Sequence, residues 1–455
     1  MSRQMHLNLN LNTTGFHRAA WRAPDGHRFG FVEIDHYLQA AALAEKGLFD
    51  AVFLADYMAI GEAMETEDSL ALDPVVVAAS ILARTSRIGV IVTASTTYHQ
   101  PYALARALSS LDHAGRGRIG WNVVTSMHAH TSGNFGLDRH PDSATRWARA
   151  HEFLAVAGAL WESWDEGALQ ADRAGGTFAD TTRIRAINHR GPHFAVTGPL
   201  QLPRSPQVRP LIVQAGPSEG GRAFASAHAD PIFTGQHSLE AATLFHADIR
   251  NRSRAAGRAE RAVAILPGLH ITLGDTEREA WDRLNALEEL ILAAARIASV
   301  ARALGLDPAA LHLDQPVPGH LLDGLETVAS PLEHGVRDLL RKDRLTVRQI
   351  SAGGYTAHKR LVGTPEQVAD QIADWFERGI VDGFNISGDV YPSGLTAIVD
   401  GVIPILQRRG LFRTAYRDET LRDRYAAPWP GAGPADPGPR ENRHQEDSDV
   451  ALSQL

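Results

Sequence analysis

The sequence predicts an α/β fold, a single (β/α)8 TIM barrel with long insertions, on three observations. Short β-rich runs alternate with longer segments of helical period, most of the runs are continuously apolar, and eight of them occur. Continuously apolar strands are buried on both faces, and helical crossovers between them join parallel neighbours. Eight such units close into a barrel rather than an open doubly wound sheet.

Taken in order, the strands are expected at 6–11, 51–55, 88–94, 119–124, 211–215, 231–234, 263–273 and 381–386. Only the first alternates apolar with polar residues. The helical segments between them are 34–46, 74–84, 102–113, 146–164, 220–228, 239–255, 276–295 and 365–378. Two stretches, 165–210 and 297–361, are too long for ordinary connections, so each is expected to be a lid, a pocket-forming excursion or a contact surface. Residues 1–425 are read as one domain. Residues 426–455, rich in Pro, Gly and charge, are expected to form a disordered tail, because they cannot bury enough apolar surface to offset their chain entropy.

Composition narrows the function. The 455 residues carry 45 Lys plus Arg against 53 Asp plus Glu, a formal charge of -8, with no basic stripe of the kind a phosphate backbone requires. No nucleic-acid partner is expected. Cysteine is absent, which excludes disulfides, thiolate metal sites and cysteine nucleophiles and leaves redox chemistry to a bound cofactor. No stretch approaches the roughly 18 apolar residues of a membrane span, and the start MSRQMHLNLNLN lacks a signal-peptide core. The expectation is a cytoplasmic protein without a membrane partner.

Barrels of this kind place reactive groups where strands end. Those positions carry Asp56, Thr93 to Thr97, Asn122 to Ser126, and Gln214 to Ser218, a polar, mostly neutral, hydroxyl-rich set. It suits a polyhydroxylated, phosphorylated ligand better than acid–base hydrolysis, which needs convergent carboxylates or a His–carboxylate pair. In LIVQAGPSEGGR a buried strand ends at Gly216 and Ser218 opens a helix, whose first-turn N–H groups, with Gly220 and Gly221, can hold a phosphate; the alternative is a plain Ser N-cap. Neither a Walker loop nor a G-x-G-x-x-G fingerprint is present. Asp56 is either a hydrogen-bond acceptor for a ligand or a helix cap. His6, His17, His128, His130 and His140 invite a metal reading, but H-E-x-x-H is missing and no carboxylate stands at ligand spacing, so no metal is expected. Trp21 follows the first strand in a loop, as a pocket wall or as packing of the loop on itself.

Together these stretches resemble a known family. The loop G-x-H-x-x-A-W-R-x-P (Gly15 to Pro24), the runs TASTTYHQPY (Thr93 to Tyr102) and S-L-D-H-x-x-x-G-R-x-G-W-N-V-V-T-S (Ser110 to Ser126), N-F-G (Asn134 to Gly136), L-W-E-S-W (Leu160 to Trp164), Q-A-G-x-S-x-x-G (Gln214 to Gly221), G-T-P-E-x-V-A-D (Gly363 to Asp370) and L-Q-R-R-G-L-F-R-x-x-Y (Leu406 to Tyr416) are similar to the luciferase-like flavin monooxygenases, within the nitrilotriacetate, EDTA and dibenzothiophene-sulfone monooxygenase group. The resemblance implies a two-component enzyme that receives FMNH2 from a separate NAD(P)H:flavin reductase and, with O2, oxygenates a small organic substrate through a flavin peroxide. It also implies at least a homodimer. Carried over by position, Asp56 and Thr93 contact the flavin ring, and Gly216, Pro217 and Ser218 hold its phosphate. Asn122 faces the same cavity, and His17, Trp21 and His128 are candidates on the substrate side. Two departures fall on the cofactor side. Where the family has a His and, four residues on, a Tyr, this chain has Ser143 and Trp147, with His140 as a possible substitute; where it has paired serines after Q-A-G, this chain has Pro217 and Ser218. The resemblance leaves as alternatives a lyase that cleaves riboflavin, a flavin-binding protein without catalysis and, ranked after these, a hydride-transferring deazaflavin enzyme of the same superfamily.

Overall fold

The eight expected strands form, and each pairs in parallel with the next: β1 (His6–Asn10), β2 (Ala51–Leu54), β3 (Gly89–Ser95), β4 (Ile119–Val124), β5 (Leu211–Ala215), β6 (Pro231–Thr234), β7 (Ala264–Leu273) and β8 (Gly383–Gly388). β8 returns to β1 through His6↔Gly383 to Leu9↔Ile386, so the barrel is closed and leaves no strand edge in the ring. These positions come from a computed structural model, which describes residues 3–426 except 12, 62–63, 66–69, 127, 217, 260, 323–344, 353–357 and 418. The expected tail, beyond Ala426, lies outside the described residues.

The period-2 rule of a strand sorts its side chains. Val52, Leu54, Val90, Val92, Ile212, Leu269 and Ile271 point outward into the main apolar core beneath the helices. Ala51, Phe53, Ile91, Leu211, Val213, Phe233 and Leu266 fill the barrel's interior. The helices covering the ring are α1 (Ile34–Lys46), α2 (Pro74–Arg84), α3 (Pro101–Ala114), α4 (Ser143–Trp161), α5 (Glu219–His228), α6 (Leu239–Ala255), α7 (Glu277–Glu289) and α9 (Pro365–Glu377), whereas α8 (Ala293–Leu304) packs in a separate apolar cluster with Leu311, Val317, Val347 and Ile350. Their starts are capped as their sequences direct: Asp73, Asp142, Ser218 and Ser238 accept backbone N–H groups, and Thr276 and Thr364 form reciprocal capping boxes.

Three features differ from expectation. The single helix expected over 276–295 breaks at Leu290–Leu292 into α7 and α8, and the break lets the Arg296 guanidinium turn back onto the Glu288 carbonyl. The stretch 297–361 ends in a ninth strand, Lys359–Gly363, which pairs with the outer half of β7 (Leu269↔Lys359 to Leu273↔Gly363) and lies outside the closed ring. After β8 the chain runs through an unanticipated helical segment, Ser393–Ala397, Ile398–Val402 and Ile403–Arg408, with a π turn in its middle. The other long stretch, 165–210, carries two short antiparallel hairpins, Leu169–Asp172 with Thr177–Ala179 and His189–Arg190 with Ala195–Val196.

The amino-terminal end of the barrel is plugged by the chain's own C-terminal segment. Leu421 and Tyr425 join the interior cluster, and the Tyr425 hydroxyl and the Asn8 amide exchange two hydrogen bonds (2.8 and 3.0 Å). Arg422 is fully buried: it donates to Pro210 O (2.9 Å) and Asp230 Oδ2 (3.2 Å), while its N–H donates to Gln207 Oε1 (2.9 Å). Gly89 makes room for this segment, since a Cβ there would lie 2.8 Å from Leu421.

Candidate functional site

At the carboxyl ends of β2 to β5 a cavity of about 370 Å³ opens between the barrel rim and the first turns of α4 and α5. It gathers eight of the sequence-derived candidates: Asp56, Thr93, Asn122, His128, Ser143, Trp147, Gly216 and Ser218. Pro217 lies outside the described residues. Tyr57, Thr125, Ser126, Arg146 and Gln214 complete much of the wall.

Each wall residue is placed by the element it ends. Thr93 and Asn122 are register partners on β3 and β4, both facing inward, and Asn122 Nδ2 donates to Thr93 Oγ1 (2.9 Å). That leaves Asn122 Oδ1 buried without a partner, and Gln214 Oε1 on β5 is in the same state. An unsatisfied buried acceptor costs about 1–3 kcal/mol, so two on one cavity wall mark a place where a ligand's N–H groups belong. Ser126 holds a left-handed backbone (φ 55°) and donates from Oγ to Ser95 Oγ (2.9 Å). Strained non-glycine positions of this kind concentrate at functional sites.

On the opposite wall Ser218 caps α5, its Oγ accepting from Gly221 N–H (3.2 Å). Beside it the indole of Trp147 lies flat against the backbone of Gly220, where a Cβ would come within 2.3 Å of the ring. Arg146, one position earlier on α4, brings a guanidinium whose buried Nε has no partner. Sequence reasoning passed over Arg146; its signal was a cation in the first turn of a helix, where the dipole disfavours one unless an anion is near.

Burial pushes the Asp56 carboxyl up to about 6, with the negative charge of Asp73 adding to the effect and His99 opposing it. A carboxyl raised in this way favours the folded chain when protonated, so stability falls as the pH rises from about 4 to about 6. Asp56→Asn is expected to remove that part of the fall. Denaturant midpoints measured across this range check it, and an unchanged pH profile would count against the environment described.

The remaining candidates sit elsewhere. His17 lines a second cavity of about 270 Å³, with Leu11, Phe16, Tyr37, Leu54, Leu72 and Val77 among its neighbours; it shares Ala55 and Tyr57 with the first cavity. His17 Nδ1 accepts from Ala19 N–H (3.2 Å), which puts the ring proton on Nε2, where it is donated to Glu288 Oε1 (3.3 Å). Both nitrogens are thus engaged, and the ring anchors the loop rather than presenting a free nitrogen. Trp21 lines a third cavity, of about 220 Å³, against Leu290 to Leu292, apart from the first. His140 bonds to the Tyr98 hydroxyl through Nδ1 (2.9 Å). The five N-terminal histidines do not converge: His6 pairs with Asp50 at the plugged end, and among the described residues no group of three metal-ligating side chains forms.

Residues 13–382 match the sequence profile of the family described as luciferase-like monooxygenase. An N-acetyl-S-(2-succino)cysteine monooxygenase from Bacillus subtilis (strain 168) is 37% identical over 426 residues, covering 93% of this chain and 96% of that one. A long-chain alkane monooxygenase crystal structure superposes with a TM-score of 0.82 at 31% identity, covering 94% of this chain and 96% of that one. A riboflavin lyase solved with modified FMN and riboflavin superposes with a TM-score of 0.80 at 32% identity, covering 93% and 96%.

Proposed function

Because the chain belongs to the luciferase-like monooxygenase family, we propose that it is the oxygenase component of a two-component system, using FMNH2 and O2 to oxygenate a small organic substrate. The observation that carries this is the cavity at the ends of β2 to β5. It has unpartnered amide oxygens on the barrel side, a capped helix start and an arginine on the other, and a single carboxyl, Asp56. A flavin ring offers an N–H between carbonyls, which suits Asn122, Gln214 and Asp56, and a phosphate suits Arg146 with the α5 N-terminus.

When bound, reduced flavin supplies the electrons that activate O2; one oxygen atom enters the substrate and the other leaves as water. The chain's own part is positional. Asn122 and Gln214 would hold the ring through their unpartnered amide oxygens, and Thr93 keeps the Asn122 amide in a single orientation. The low-polarity wall of Phe53, Ala55, Val124 and Ala215 limits water around the reacting atoms. His128 and Ser126 stand at the same cavity on the loop after β4.

Arg146 favours FMN over riboflavin as the bound species, since only FMN carries the dianion that would engage it. An NAD(P)H:flavin reductase is the partner this chemistry needs, and we place the protein in the cytoplasm as a homo-oligomer. Among the described residues no helix is long and apolar enough to cross a membrane. We read residues 1–425 as one domain, with 165–210 and 297–361 as its insertions and 426–455 as a tail.

The test supplies FMNH2 from a separate reductase under 18O2 to a panel of sulfides, sulfones and amino-polycarboxylates. One labelled oxygen atom per product molecule is expected. Riboflavin bound more tightly than FMN and cleaved in the assay would support the lyase instead, and no product beyond that formed by free FMNH2 would overturn catalysis altogether.

A further inference from the structure

The half of the barrel mouth formed by β6, β7, β8 and the loop after β1 carries chemistry that the cavity above does not use. β7 reads Pro-Gly-Leu-His-Ile within a buried run, and His270, 7% exposed, points to the interior with Nε2 unpartnered. Register places Ser387 of β8 on one side of it and Arg360 of the ninth strand on the other, so all three side chains leave their strands in the same direction. Ser387 Oγ is also buried without a partner.

His358 packs against Gly268, where a Cβ would lie 2.0 Å from its Nδ1, and its ring meets that of His270 edge-on with centroids 5.1 Å apart. Phe16 covers both imidazoles. His237, just past β6, completes the group. His237 is exposed and His358 partly exposed, so the group opens to solvent on their side, while His270 and Ser387 lie buried behind them.

We propose that this recess, lined by His237, His270, His358 and Ser387 with Arg360 behind them, binds a carboxylate group of the substrate. The inference rests on the oxygenase reading of the neighbouring cavity and names the class of molecule it acts on, an organic acid.

The charges around the recess support it. The groups facing His270 are His358, His237, His17 and Arg360, all neutral or positive. Lys359 adds a further positive charge beside His237. Two carboxylates nearby are already engaged: Glu288 on α7 is shared among His17 (3.3 Å), Arg360 (3.4 Å) and Arg296 (3.6 Å), and Asp389 after β8 pairs with Arg283 (2.7 Å). Burial, together with neighbouring imidazoles and cations, holds the proton off these rings: His270 lies well below the usual imidazole range and His358 is lowered to about 4. An entering carboxylate reverses that balance, because it accepts from Ser387 and stabilises an imidazolium. Binding therefore draws in a proton and tightens as the pH falls.

Calorimetric titration of succinate into the full chain, with and without FMN, tests this in two buffers of different ionisation enthalpy between about pH 6 and pH 8. The expected results are uptake of up to about one proton per site, affinity rising about tenfold toward pH 6, and much weaker binding of neutral succinamide. His358→Phe is expected to weaken succinate at least tenfold while leaving FMN affinity within about twofold, which also shows that the variant folds. Succinate binding without proton uptake, equal binding of succinamide, an unaffected His358→Phe, or no succinate heat at about 20 mM would each overturn the proposal. Failure of FMN to bind would count separately, against the oxygenase reading.

Discussion

Replacing Arg422 with alanine lowers the stability of the fold by about 3–5 kcal/mol. The arginine is fully buried at the amino-terminal end of the barrel, and its removal leaves Asp230 as a buried carboxylate whose remaining named donor is Ile212 N–H (2.8 Å). It also takes away the donor to Pro210 O. Taking away one member of a buried pair is costly because the other stays desolvated without compensation. The same segment carries Arg424, which donates to Asp50 O (2.8 Å) and Arg87 O (2.9 Å), and Tyr425, which stacks on His6 with centroids 4.3 Å apart. Denaturant unfolding of Arg422→Ala measures the loss. A change under about 1 kcal/mol, the size expected of a surface ion pair, would mean that the segment does not plug the barrel as described.

Gly220→Val weakens FMNH2 binding with little loss of fold. The new side chain starts 2.3 Å from the Trp147 indole, so the ring is driven away from the α5 N-terminus and into the cavity. Overpacking of this order costs about 1–3 kcal/mol, a weakening of about five- to more than hundredfold if it falls wholly on the bound state. Gly158→Ala is the matching control. Gly158 lies within α4 with nothing near its Cβ position, so alanine there is expected to stabilise the helix by about 0.5–1 kcal/mol and leave flavin binding alone. Anaerobic titration of FMNH2 into both variants reads the difference. Equal affinity in Gly220→Val and the parent protein would remove the α5 N-terminus from the site.

The parts of the fold that were legible in the sequence are those whose signal is local. A strand buried on both faces is written as a largely apolar run, which located seven of the ring strands, and the first, HLNLN, was located by its alternation. The ninth, KRLVG, opens on two charged residues and lies in a stretch otherwise without pattern, so nothing local separated it from a loop. The α7–α8 break was hidden for the opposite reason: helical period continues through Leu290–Leu292, and what ends α7 is the tertiary knot of Glu288 with Arg296, Arg360 and His17.

The candidate site divides in the same way. Asp56, Thr93, Asn122 and Ser218 stand at strand or helix ends and were readable from position alone, and the structure brings them to one cavity with Ser143 and Trp147. Trp21 and His17 follow the first strand just as closely, yet the loop folds over toward α7 and carries them to other cavities. His237, His270 and His358 went unnoticed because 33 and 88 residues separate the outer two from His270, and only closure of the ring and pairing of the ninth strand brings them together.

A crystal structure of the chain with FMN tests the central claim most directly. The account predicts the isoalloxazine edge against Asn122 and Gln214, Asp56 within hydrogen-bonding reach of the ring, and the phosphate between Arg146 and the first turn of α5. Flavin seated instead in the cavity beside Trp21 or in the histidine-lined recess, or with its phosphate away from α5, would contradict it.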